Sequence, residues 1–157
     1  MTPEFIQTAA RPRVTVAALV ERDGRWLLVE ERDDRGRHVI NQPAGHVEAG
    51  ESLIEALMRE TYEETGWRVQ PEALVGVYLW SRPDRAASFL RLAITACADR
   101  HEADASLDQG IIRPVWLTRD ELAACRDRHR SELVLCCVDD CLAGERYPLA
   151  VLKATRL

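Results

Sequence analysis

No run of apolar residues in this chain approaches the ~18 needed to span a bilayer, so a membrane-spanning protein is not expected. A basic excess is also missing: 21 Lys and Arg stand against 26 Asp and Glu, for a formal net charge of -5. That balance argues against a binder of nucleic-acid polymers or membrane surfaces, which work through basic patches. Phosphorylated small molecules stay open, because bound cations reverse a local field. Cys-x-x-Cys spacing is absent too. The five cysteines, Cys97, Cys125, Cys136, Cys137 and Cys141, are an odd number. They read as small buried hydrophobes in a reducing compartment rather than a disulfide frame or zinc site, although Cys137 and Cys141 stand four apart in an apolar stretch. Met1–Arg13 carries no apolar core flanked by basic residues, so no secretory leader is expected and the cytoplasm is the expected location. Repeats, linkers and low-complexity tracts are likewise missing.

What is present is a succession of strands and capped helices in 157 residues, enough for one domain over 1–157. Val14–Glu21 and Arg25–Glu31 read as strands joined by the tight Asp23-Gly24 turn. Asp33–Arg37 is a charged loop, and Asn41-Gln42-Pro43-Ala44-Gly45 is an irregular stretch. Ser52–Thr65 is the clearest helix: Ser52 and Glu55 form a capping box, Gly66 occupies the C′ position, and Leu53, Ile54, Leu57 and Met58 form an apolar stripe. Leu74–Leu79 and Phe89–Cys97 read as strands around the polar loop Ser81–Ala87. Asp99–Gln109 is polar and expected to be a mobile loop. Ile111–Leu117 is a last strand that Pro114 places at an edge or bulge. A second capping box, Thr118 with Glu121, opens a helix over Asp120–Arg126, and Ser131–Leu142 forms the final helix, closed by Gly144. The expected class is α/β of the α+β type, a mixed β-sheet packed between helices.

Chemistry concentrates on Ser52–Thr65. At 100° per residue, Glu60, Glu63 and Glu64 fall within about 100° of one another. Leu53 and Leu57 lie on nearly the same bearing, so the acids border the buried stripe. Like charges at i,i+3 and i,i+4 cost about 0.2–0.5 kcal/mol per pair even when exposed, and more when desolvated. Two readings follow from the helix alone. One is a solvated acidic face neutralised by Arg59; the other is a site for a hard divalent cation, Mg²⁺ or Mn²⁺, which prefers oxygen ligands. Gly45 permits a close backbone approach that offers its carbonyl to the same ion. Arg59 can fix Glu51 or Glu63 by a paired hydrogen bond.

In order, the chain runs Gly45, five residues, Glu51, seven residues, Arg59-Glu60, two residues, Glu63-Glu64, one residue, Gly66, then apolar Trp67. This resembles the complete Nudix box, with Thr61 where that family usually carries an aliphatic residue. The resemblance implies a mixed sheet between helices and Mg²⁺ held by Glu60, Glu63, Glu64 and the Gly45 carbonyl, with Mn²⁺ able to substitute. Glu63, Glu64, Arg59 and Glu51 are its implied catalytic residues. The implied reaction is metal-assisted in-line attack of water on phosphorus, with charge stabilisation carrying most of the rate.

Further segments extend the likeness along nearly the whole chain, toward a bacterial phosphatase branch of the family. They are Val14-Thr15-Val16-Ala17, Val29-Glu30-Glu31, Asn41–His46, Trp80 with Pro83-Asp84, Phe89-Leu90-Arg91 and Arg146-Tyr147-Pro148-Leu149. The implied substrates are nucleoside di- and triphosphates and the thiamine-precursor hydroxymethylpyrimidine diphosphate. The implied partners are therefore small molecules, with no nucleic-acid polymer and no membrane, and the protein is expected as a monomer or homodimer.

Many family members place another acid before the last strand. Here Asp108 is the only acid near that place, so the general base is Asp108, Glu63 or Glu64. Trp80 and Tyr78 share a strand face and either stack a base or serve the core. Arg82, Arg85 and Arg91 are candidate phosphate grips, and His46 either lines the pocket or bonds within its loop. The alternative class is a non-catalytic Nudix-fold module that binds a nucleotide to regulate a partner. Such modules typically lose box acids, and this chain keeps them.

Overall fold

The computed structural model describes residues 11–84 and 87–154; the candidate grip Arg85 and most of the Met1–Arg13 segment lie outside them. Strand β1 (Arg13–Arg22) turns at Asp23 (φ 51°) and Gly24 (φ 75°) into β2 (Arg25–Arg32). Two consecutive left-handed residues are what a tight hairpin between right-twisted strands requires. β3 (His38–Asn41) and β4 (Ala44–His46) follow, then α1 (Leu53–Thr65), β5 (Trp67–Ser81), β6 (Ser88–His101) and β7 (Ile111–Thr118). Helices α2 (Arg119–Ala124) and α3 (Leu133–Leu142) and the short β8 (Tyr147–Pro148) complete the order.

The sheet is mixed, as expected. One wing runs β4-β1-β6-β5-β8, with β1 and β6 parallel; the other is antiparallel β3-β2-β7, and the β1–β2 hairpin joins them. Two apolar layers lie on its faces. Val16, Val20, Leu27, Leu92 and Ile94 pack with Ala56 and Leu57 of α1. Leu19, Leu28, Ile40, Val75 and Ala93 pack with Leu122 of α2 and with Leu133, Val134 and Val138 of α3. Fully burying a residue such as Leu57, 0% exposed, contributes about 1.5–3 kcal/mol.

Both capping boxes form. Ser52 Oγ accepts from Glu55 N at 3.1 Å, and Glu55 Oε2 accepts from Ser52 N at 2.7 Å; Thr118 and Glu121 repeat the pattern. Several expectations need correction. Ala44-Gly45-His46 is not irregular: it pairs antiparallel with Thr15–Ala17, because the missing side chain of Gly45 lets β4 pass beneath α1. β5 does not start at Leu74 but runs from Trp67 through Pro71, since its register shifts beside Pro71 remove the need for a ladder bond there. Asp99–His101 belongs to β6, and the loop beyond is tied down: Glu102 N donates to Gly66 O and Asp108 N to Glu63 O, both at 2.9 Å. Met58 is 40% exposed, and the buried face of α1 instead contains Thr61, Glu64 and Thr65. The cysteines are free, but only Cys137 and Cys141 are buried; Cys97 and Cys136 are exposed.

Gly66 closes α1 at φ 73°, its N–H donating to Tyr62 O at 2.8 Å. A Cβ there would stand 2.8 Å from the Glu102 backbone oxygen. Gly66→Ala therefore combines left-handed strain with a clash against backbone, and we expect a loss of about 1–3 kcal/mol in urea unfolding. Unchanged stability would mean that the 102–110 loop is not seated on this helix end.

Candidate functional site

The N-terminal half of β4 and the middle of α1 form one wall of a cleft of about 920 Å³. Gly45 is its tightest point. A Cβ built on Gly45 would fall 2.0 Å from the carboxyl carbon of Glu60 and within 2.2 Å of both its oxygens. Any side chain at 45 would displace that carboxylate, so glycine is what brings backbone and acid together.

Arg59 organises the acids. Its Nε and Nη2 donate to the two oxygens of Glu51 at 2.9 and 2.7 Å, Nη1 donates to Glu60 at 2.8 Å and Glu63 at 3.1 Å, and Nη2 reaches the His46 carbonyl at 3.0 Å. The guanidinium holds Glu51 below the usual carboxylate range. Glu60 moves the other way: burial foremost raises its pKa, Arg59 opposes, and Glu63 and Asp108 add repulsion. Among the described residues, oxygens of Glu60, Glu63 and Asp108 come within 4.8 Å of one another. These donors, with the adjacent Gly45 backbone, are oxygen ligands of the kind that Mg²⁺ or Mn²⁺ takes.

Glu64 faces inward, 7% exposed, and its Oε2 accepts from Ala44 N at 2.9 Å. Thr61, 0% exposed, satisfies its hydroxyl against Leu57 O at 2.7 Å. A threonine thus fits where an aliphatic residue was the expectation, with its methyl packed and its hydroxyl bonded to the preceding helical turn.

Of the other sequence candidates, the cleft gathers Gly45, His46, Glu60, Glu64, Trp80, Arg82 and Arg91 along its lining. Glu51, Arg59, Glu63 and Asp108 stand behind or beside that wall. Asp108, a candidate general base and substrate contact from the sequence, groups with Glu60 and Glu63 rather than with the cleft lining. Tyr78 and Trp80 both pack against the core, but Tyr78 donates to Asp140 at 2.8 Å whereas Trp80 also lines the cleft beside Phe89. Arg82 lines the cleft and is paired there with Asp34 at 2.8 Å and Asp84 at 3.4 Å. Arg91 is 8% exposed and lies on the cleft floor. Sequence reasoning did not single out Glu31, Asn41 or Arg130 as site residues. A signal existed for Glu31: Val29-Glu30-Glu31 places two acids at the end of an apolar strand, so alternation turns one of them inward.

A model of the family described as NUDIX domain matches residues 10–135. The proteins named Phosphatase NudJ from Escherichia coli strain K12 and from Shigella flexneri are each 36% identical over 142 residues, covering 90% of this chain and 91% of theirs. Among solved structures, a NUDIX hydrolase from Nitrosomonas europaea superposes with a TM-score of 0.90 at 43% identity, covering 92% of this chain and 98% of its own.

The burial of Glu64 gives a stability test. Burial above all, then repulsion from Glu31, Glu60 and Asp108, pushes its pKa from 4.5 up to about 9, against the lowering effect of the Ala44 N–H. Between those two values the folded chain holds a proton that the unfolded chain has lost, so stability is fullest below pH 4.5 and declines as pH rises toward 9. In metal-free protein the melting temperature should fall by roughly 5 °C or more from pH 5 to 8.5, and Glu64→Gln should remove most of that slope. A slope unaltered by the substitution would show that Glu64 is not the group responsible.

Proposed function

The chain belongs to the NUDIX domain family, and from that premise we propose that it is a divalent-metal-dependent hydrolase of phosphoanhydrides, acting as a single domain over 1–157. The substrates proposed are nucleoside di- or triphosphates, and the hydroxymethylpyrimidine diphosphate that shares their diphosphate end. The observation carrying this reading is the convergence of Glu60, Glu63 and Asp108 within 4.8 Å. Ionised carboxylates so close together repel one another, and one guanidinium already engaged with Glu51 does not balance them.

The residues present fit such an ion. Glu60, Glu63, Asp108 and the Gly45 carbonyl would hold it, with Glu64 beside them. When bound, Mg²⁺ supplies charge neutralisation at phosphate oxygens and favours deprotonation of water. The chain's own residues do the rest. Arg59, clamped in two directions, keeps Glu60 and Glu63 from swinging apart. Glu63, half-exposed, or Asp108, exposed, would orient a water and accept its proton for in-line attack on phosphorus through a carboxylate oxygen that the ion leaves free. Glu64 enters that role less readily, since its burial favours the protonated form. The cleft, at about 920 Å³, is within the range of small-molecule sites, and Trp80 with Phe89 offers a ring surface inside it. The relatives named as phosphatases support release of phosphate.

Purified protein should release phosphate or pyrophosphate from nucleotides or the pyrimidine diphosphate with Mg²⁺ and lose that activity in chelator. A broad panel with no metal-dependent turnover would overturn the enzyme reading in favour of a nucleotide-binding regulatory module. Gly45→Ala gives a residue-level check. Its Cβ meets the end of a flexible side chain, so folding should survive, while the displaced Glu60 should weaken Mg²⁺ affinity and kcat by about 10–100-fold. Wild-type metal affinity in that variant would remove Gly45 and Glu60 from the ion's ligands.

A further inference from the structure

The floor of the cleft carries a second arrangement, distinct from the carboxylates of α1. Phe89 and Arg91 are two residues apart on β6 and share a face; their partners across β5 are Trp80 and Tyr78. The Trp80 and Phe89 rings lie 5.9 Å apart at 31°, one rung from the Arg91 guanidinium. Arg91 has no ion-pair partner among the described residues. It donates instead to Gln42 Oε1 at 3.2 Å and Asn41 Oδ1 at 3.3 Å, beside a Cys137 thiol kept neutral by burial, with its pKa up to about 12. Both amides are fixed from their other ends: Asn41 Nδ2 donates to Glu31 Oε1 at 3.2 Å, and Gln42 Nε2 to Val134 O at 2.6 Å. They can only turn oxygen toward Arg91. A guanidinium carries five N–H donors, so donors remain after these contacts. Glu31, also lining the cleft, receives Asn41 and Arg130 on Oε1, leaving Oε2 as its open acceptor among the described residues.

Resting on the hydrolase reading, we infer that this floor selects substrates whose ring bears a lactam edge, the –NH–C(=O)– group of uracil, hypoxanthine and guanine. Arg91 donates to the ring carbonyl, Glu31 accepts the ring N–H, and the ring lies against Trp80 and Phe89. Arg91 pairs with an oxygen acceptor as arginine does on a guanine edge. A phosphate is a poorer guest here, because Glu31 sits one amide away from Arg91 and repels it. Adenine, cytosine and the aminopyrimidine ring of the hydroxymethylpyrimidine diphosphate present the reverse pattern, an amino group toward Arg91 and a lone pair toward Glu31, which leaves buried polar groups unmatched. That diphosphate is therefore the poorer of the proposed substrates.

The test compares inosine with adenosine triphosphate and uridine with cytidine triphosphate, pairs that differ chiefly at this edge. Dissociation constants from calorimetry in metal-free buffer, and kcat/KM with Mg²⁺, should both favour the lactam member by about tenfold or more. In Arg91→Met, which keeps the buried stem without its charge, the ratio should collapse toward one. Equal affinities within the wild-type pairs would overturn the inference while leaving the hydrolase reading intact. So would a variant that weakens both members equally, the mark of an arginine that grips phosphate. A preserved binding ratio without turnover would instead overturn the hydrolase reading alone. If Arg91→Met does not fold, the wild-type ratio decides.

Discussion

Electrostatic crowding around one arginine governs the rest of this structure. Arg59 holds Glu51 through both carboxylate oxygens, touches Glu60 and Glu63, and reaches back to the His46 carbonyl. Remove that guanidinium and α1 presents a column of like charges to β4. With it in place, β4 can lie against the helix, and the register Val16↔Gly45 on β1 fixes where the glycine meets Glu60. Exposed ion pairs contribute little on their own. This one is different because a single side chain with little exposure serves three carboxylates and a backbone carbonyl, so its ordering cost is shared.

The two ends of the cleft are built from different faces of the sheet, and this separates their tasks. α1 packs on one face through Ala56 and Leu57 and delivers the acids. α3 packs on the other through Leu133, Val134 and Val138, and the Val134 carbonyl fixes Gln42. Asn41 and Ala44 stand three residues apart between them. Asn41 joins Glu31 to Arg91, while the Ala44 N–H donates to Glu64. The β3–β4 segment therefore links the Arg91 floor to the acidic wall through covalent geometry.

Local patterns were legible in the sequence; contacts between distant segments were not. Both capping boxes, the Asp23-Gly24 hairpin and the Gly66 stop follow from neighbouring residues, and the structure bears them out. The spacing from Gly45 to Gly66 also gave the acid column, since helical geometry alone sets which glutamates share a face. What periodicity could not give was which face of α1 is buried. Leu53, Ile54, Leu57 and Met58 suggested one bearing, yet Met58 lies outward and Thr61 and Glu64 inward, because the position of β4 decides the matter. The role of Asp108 depended on a backbone bond from its N–H to Glu63 O, and nothing near residue 108 announces that. The burial of Arg91 was not legible because its neutral partners, Asn41 and Gln42, lie about fifty positions earlier.

Glu64 shows why such a site must be assembled against local preference. A carboxylate 7% exposed among other acids is costly to ionise, and an apolar residue would pack there without that cost. Its one compensation among the described residues, the Ala44 N–H, lies on the strand that Gly45 brings under the helix. The same close approach thus satisfies Glu64 and crowds Glu60. Both become easier to ionise when a cation shares their space. The fold accordingly carries a strain that a bound cation would relieve, and no rearrangement of the apolar core would do so.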